Sequence, residues 1–178
     1  MFLTPPLRRL LCNALIQPHF DYASSPWYPN LQKRLSDKLQ ICQNKCIRFC
    51  LSLGNWSHIG IREFKEINWL PVRARFEQNV TTHIFKQQNK LVPKYMDEMF
   101  TSADQCKIKT RSYSYKLILP HYNIVSGHKT ISSLVPTLWN KLPIDNKLSN
   151  NPNSFKYKVK MHFFEVLVKE NDDCFVYY

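Results

Sequence analysis

Cys42, Cys46 and Cys50 recur every fourth residue, which on a helix brings neighbouring thiols near enough to share a soft metal such as zinc. Structural zinc sites usually pair close-set ligands from a loop with a second pair elsewhere, so a fourth ligand has to come from His58 or a distant residue. Cysteine is also a small hydrophobe, and these three fall on or beside an apolar helical stripe. Core packing is therefore the reading, with metal ligation as the geometric alternative. Asp172-Asp173 has the adjacency that two-metal phosphoryl-transfer sites use to hold Mg²⁺. Its setting does not match: Lys169-Glu170-Asn171 stand where an apolar strand with an aromatic residue is needed, and five residues follow, so a solvated tail is expected. No Gly-x-Ser-x-Gly nucleophile turn, His-Glu-x-x-His pair or glycine-rich phosphate loop ending in Lys occurs. His19, His83 and His121 stand apart from plausible partners and read as structural. No catalytic residue, metal or cofactor is assigned, and the chain is expected not to be an enzyme by itself.

The remaining chemistry is cationic. Basic residues gather in Arg8-Arg9, Lys33-Arg34-Lys38, Lys45-Arg48, Arg73-Arg75, Lys107-Lys109-Arg111 and Lys156-Lys158-Lys160, interleaved with aromatics. Such clusters can follow a sugar-phosphate backbone, with exposed Trp or Tyr offering stacking platforms; the plainer alternative is a set of solvated helix faces. The balance of 25 Lys+Arg against 13 Asp+Glu gives a formal charge of +12, which favours phosphate backbones or anionic surfaces as partners.

These side chains need elements to hold them. At 178 residues with 44% hydrophobic content, the chain can bury one core or two small ones. Three glycines are too few for tight hairpins or a doubly wound nucleotide-binding sheet, so a mostly α-helical fold is expected. Leu7, Leu10, Leu11, Ala14 and Leu15 define a first amphipathic helix to about Gln17, which Pro18 bends or ends. The aromatic block His19 to Pro29 follows, and Asn30 is a possible cap for a long helix with Leu31, Leu35, Leu39, Cys42, Cys46, Phe49 and Leu53 as its stripe and Gly54 as its stop. A short segment from Ile61 to Ile67 leads to a helix with Pro71 in its first turn and Phe76, Val80 and Ile84 on one face. Thr110 to Leu119 loses helical spacing and reads as extended. Two terminal helices follow, Ile131 to Leu142 and Asn151 to about Lys169, the latter with Phe155, Val159, Phe163 and Val166 on one face. The regions drawn are 1–100, helical; 101–130, a linker with an extended segment; and 131–178, helical. No apolar run approaches the ~20 residues of a membrane span, and the N-terminus has its charges in the wrong order for a secretory signal. An intracellular chain with free thiols, in nucleus or cytoplasm, is expected.

Three blocks in order carry a resemblance. The first is Asn13-Ala14-Leu15-Ile16-Gln17-Pro18-His19-Phe20-Asp21-Tyr22 with Trp27, continuing into Leu39-Gln40-Ile41-Cys42-Gln43-Asn44-Lys45-Cys46-Ile47-Arg48. The second is Asn68-Trp69-Leu70-Pro71-Val72 with Arg73 and Arg75. The third is Val135-Pro136-Thr137-Leu138-Trp139-Asn140-Lys141-Leu142-Pro143, then Ser154-Phe155-Lys156 and Val159-Lys160. Together they resemble the C-terminal region of non-LTR retrotransposon reverse transcriptases of the LINE-like, jockey or chicken-repeat type. The resemblance runs over nearly the whole chain and implies the thumb and post-thumb parts of an RNA-directed DNA polymerase. The aspartates of that family's palm and its endonuclease have no counterpart here.

What the resemblance implies is a thumb-like helical N-terminal half that grips a template-primer or RNA–DNA duplex by its phosphates. Its contacts would be Lys33, Arg34, Lys38, Lys45 and Arg48, with Arg73 and Arg75 as a second set. In the C-terminal half, Lys156 and Lys160 are candidates for holding element RNA. The start at Met1 falls just before the thumb-like block, and the expectation is a fragment of a transposable element that has lost its palm partner. That loss would leave Leu7, Leu11 and the Phe20-Tyr22 block as an apolar patch, and a domesticated protein-interaction module is the alternative. No membrane partner is expected.

Overall fold

The computed structural model describes residues 3–22, 24–96, 100–103, 115–123, 127 and 130–169. The fold is mostly helical, and among the described residues no β-strand forms. Contacts divide the chain into two compact units, Met1–Phe76 with Lys160–Tyr178, and Glu77–Val159. The regions drawn from sequence follow the elements, whereas these units cut across two helices.

In the first unit, Thr4 precedes α1 (Pro5–Leu15), whose two prolines sit where an N–H has no helical partner. The chain breaks at Ile16 and restarts as α2 (Gln17–Asp21), with Pro18 in its first turn. Proline here opens a helix rather than bending one. After α3 (Ser24–Trp27) and a 3₁₀ turn over Tyr28–Asn30, the long α4 (Lys33–Leu51) begins from Gln32, and Asn30 is left outside it. The helix stops at Ser52, which takes the left-handed conformation (φ 58°), and the Leu53 N–H closes onto Arg48 O at 2.9 Å. Gly54 was the expected stop, but no described glycine has positive φ; Ser52 reaches that conformation with its hydroxyl bonded to Arg8. α5 (Ile61–Glu66) and α6 (Val72–Gln88) follow, with Pro71 immediately before α6.

The buried face of α4 is not the expected leucine stripe. Leu35, Phe49 and Leu53 are 44%, 37% and 36% exposed, and Cys42 is exposed as well. Cys46 and Cys50 are buried as expected, but Gln40, Gln43, Asn44 and Ile47 complete the buried face in place of the leucines. The reason lies in hydrogen bonding, to which hydropathy is blind. The Gln40 amide donates to Gln43 Oε1 and Asn44 Oδ1, both at 3.0 Å. Its carbonyl accepts from the Val72 N–H at 3.1 Å, and Gln43 donates to Leu70 O at 2.9 Å. Gln40 and Gln43 thus clasp the segment Leu70–Val72 at the start of α6, with Asn44 orienting the Gln40 amide. Trp69 adds a bond from its indole N–H to Asn13 Oδ1 at 3.0 Å, which ties the same segment to α1. Around this clasp pack Cys12, Ile47, Ile59, Phe64, Ile67, Trp69, Leu70, Ala74 and Phe164. Each fully buried aliphatic or aromatic side chain contributes about 1.5–3 kcal/mol.

The second unit takes the later part of α6, then α7 (Ile131–Lys141), α8 (Ile144–Lys147) and the first part of α9 (Pro152–Lys169). Phe155 stacks on Phe85 at 4.4 Å and on Trp139 at 5.9 Å, with Val80, Ile84, Val135 and Val159 also buried. Asn140 pairs its side-chain amide with both backbone groups of Leu117 at 2.9 Å, a side-chain imitation of a strand neighbour. The Trp139 indole donates to Tyr115 O at 2.9 Å. Of the expected extended segment, residues 115–119 are described: Leu117 forms an isolated antiparallel bridge with Ser102, and residues 110–114 lie outside the described residues.

Candidate nucleic-acid interface

At about 100° per residue, Arg34, Lys38 and Lys45 fall within about 40° of one another around α4, and Arg48 lies about 40° from Arg34. Gln43, Ile47 and Cys50, all buried, occupy the opposite side. One helix therefore carries its hydrogen-bonded core contacts on one face and a cationic ribbon on the other. From Arg34 to Arg48 the ribbon runs about 21 Å, the rise of roughly six nucleotides of one strand. Lys33, Arg34, Lys38 and Lys45 are exposed, and among the described residues none holds a hydrogen bond or ion pair.

Three of the other basic candidates, Arg48, Arg75 and Lys160, are bonded within the fold. Arg48 donates through Nε to Ser57 O at 2.9 Å. Arg75 grips Asp21 through two parallel bonds, Nε to Oδ1 at 2.7 Å and Nη2 to Oδ2 at 2.6 Å, which joins α6 to α2. Lys160 donates to the carbonyl of Asn68, a residue in the left-handed conformation. Arg73 and Lys156 are exposed. Lys156 belongs to the second unit, where burial first, then the charges of Lys86 and Lys156, hold the His83 imidazole below its ordinary pKa. Arg8, from the first basic cluster, is buried: it donates to Leu3 O at 2.9 Å, to Phe49 O at 3.1 Å and to the Ser52 hydroxyl, and lies 5.7 Å from the centre of the Phe49 ring. Lys107, Lys109, Arg111 and the Asp172-Asp173 pair lie outside the described residues.

The thiols separate into two kinds. Cys46 and Cys50 lie in the core with Cys12, and burial, reinforced by the neighbouring Cys12 thiol, pushes each up to about 12. Cys42 departs from the core-packing expectation and is exposed at the edge of a shallow apolar depression shared with Leu11, Leu15 and Phe49. Among the described residues no group of three His, Cys, Asp or Glu side chains could hold a metal ion.

Composition and spacing did not single out Trp56. It is 85% exposed and stands beside the C-terminal end of the cationic ribbon, at the rim of a groove of about 750 Å³. The signal available was an indole in a polar stretch, directly after Gly54-Asn55, where no apolar periodicity claims it. Phe20, expected on an exposed patch, is buried, whereas Tyr22 is 81% exposed. Compared with family models, with curated proteins and with solved structures, the chain gives no match.

Proposed function

We propose that this chain is a non-catalytic, nucleic-acid-binding piece of a mobile-element RNA-directed DNA polymerase, the thumb and post-thumb region of a non-LTR reverse transcriptase. The observation that carries the binding role is the cationic ribbon Arg34, Lys38, Lys45 and Arg48 on the solvent face of α4, opposite a rigidly bonded core face. Cations fixed on a helix and spaced along about 21 Å neutralise phosphates without reading bases. The formal charge of +12 supplies attraction of the same sign at longer range. On this reading the partners are RNA or an RNA–DNA duplex and, in a parent protein, a polymerase palm. The chain works inside the cell, in nucleus or cytoplasm, and performs no chemistry itself. No helix is long and apolar enough to cross a membrane among the described residues.

The test is affinity for a labelled RNA–DNA hybrid across a salt series. The log-log slope should be steep, and Arg34→Ala/Lys38→Ala/Lys45→Ala should reduce it by roughly 2 to 3 while leaving the thermal melt unchanged. A folded chain with no binding at low salt would sink the proposal.

One observation favours a second reading, a protein-interaction module. Leu7, Leu10 and Leu15 of α1 are 41%, 61% and 64% exposed, and the depression that Leu15 lines with Leu11 is almost wholly apolar. Association that persists at high salt is the result that would favour it.

A further inference from the structure

Beyond Leu51 the chain turns back on itself. Ser52 in the left-handed conformation reverses it, and the Ser57 N–H closes onto Gly54 O at 3.0 Å, so Asn55 and Trp56 occupy the tip of a tight turn. Arg48 fixes the exit of that turn through its bond to Ser57 O at 2.9 Å. The backbone that carries Trp56 is therefore fixed on both sides, and its indole is presented to solvent at 85% exposure. An aromatic ring of that size has no packing role in the described residues. Its position has one, because Ile41, Phe49 and Leu53 form the apolar bed of the groove at whose rim it stands, and Lys45 lines the same groove.

From this juxtaposition we infer that the groove between the C-terminal half of α4 and the turn at 54–57 receives an unpaired nucleotide, its base stacked on Trp56 and its phosphate on Lys45. The volume of about 750 Å³ is in the range of sites that hold small ligands, and a duplex, whose bases are already stacked, cannot offer a ring to the indole. Charge decides the occupant. An apolar bed alone would suit a peptide, but this one is bordered by Lys45 and Arg48 and continues into the ribbon of Lys38 and Arg34, so the chain that lies along it is a polyanion carrying flat rings. The ligand of the first unit is then a single-stranded segment, or a duplex with a single-stranded extension. This inference rests on the nucleic-acid reading of α4 and adds the strand type to it.

The experiment uses the full chain with a labelled single-stranded RNA, a blunt RNA–DNA duplex and poly-glutamate of matched charge, comparing native protein with Trp56→Ala and Trp56→Phe. Tryptophan emission is followed alongside, since Trp69 and Trp139 are buried and bonded, and Trp27, half-buried with its indole N–H on Tyr22 O at 3.1 Å, is present in native protein and both variants alike and so supplies the common background. Trp56→Ala should weaken single-strand binding by about 5- to 100-fold, Trp56→Phe should restore most of it, and duplex affinity should stay within about twofold. Emission should be quenched by the single strand in native protein and not in the variants. If native protein binds nucleic acid and neither variant changes single-strand affinity, the stacking site is wrong and the cationic ribbon stands. Equal binding of poly-glutamate would mark the groove as a general anion surface and overturn the inference. Absence of nucleic-acid binding altogether overturns both readings.

Discussion

Basic residues that look alike in the sequence have opposite fates in the fold. Arg8 and Arg9 are neighbours, yet Arg8 is buried at 5% exposure, where its guanidinium satisfies the Phe49 carbonyl in the last turn of α4 and the Leu3 carbonyl ahead of α1, while Arg9 is only half-buried. Arg8→Ala should lower stability by about 2–4 kcal/mol in urea melts and Arg9→Ala by less than about 1 kcal/mol, because removing Arg8 strands polar groups inside the unit. Counting charges identified the clusters but could not assign these roles. The partners of Arg8 lie 41 and 44 positions away and that of Arg75 lies 54 away, distances that no local pattern spans. The same holds for Asn13, Gln40, Gln43 and Asn140. All belong to the blocks that carry the resemblance, and all are used to bond backbone or an indole. Those blocks describe a fold more directly than they describe a binding surface.

At the level of elements, helices were legible wherever the buried face is apolar. α7 and α9 begin and end within a residue or so of the positions their spacing indicates, and Phe155 and Val159 are fully buried as expected. α4 was legible as a helix and misread as a surface, because amides with bonded partners occupy the place that leucines were expected to fill. Its thiols make a separate prediction. Cys46 and Cys50 are pushed from an ordinary 9.0 up to about 12, so above about pH 9 they ionise in the unfolded chain and stay neutral in the folded one. Their contribution to stability is complete below pH 9 and is lost as pH rises towards 12. Denaturant midpoints followed across that window should fall less steeply in Cys46→Ala/Cys50→Ala than in the native chain. Alkylation of folded protein, mapped by peptide, should label Cys42 and spare Cys12, Cys46 and Cys50.

For the whole molecule, a formal charge of +12 opposes self-association through repulsion, while Leu7, Leu10 and Leu15 favour it. The two respond to salt in opposite directions, which separates them experimentally. Raising salt should weaken nucleic-acid binding and strengthen any association through α1. Sedimentation at high salt should show that Leu10→Glu/Leu15→Glu abolishes such association, and the same variant should keep its RNA affinity at low salt within about threefold. The buried amides of α4 also bear on how many structures the first unit can adopt. A helix seated by a row of leucines can slide by one turn and meet another leucine. If α4 slid by a turn, Asn44 and Ile47 or Ser36 and Leu39 would stand where Gln40 and Gln43 now reach Val72 and Leu70, and in neither case could the second residue donate to the Leu70 carbonyl. A slip by one turn in either direction therefore leaves the Leu70 carbonyl without its donor, which favours the observed seating and with it a single registration of the cationic ribbon on the far side.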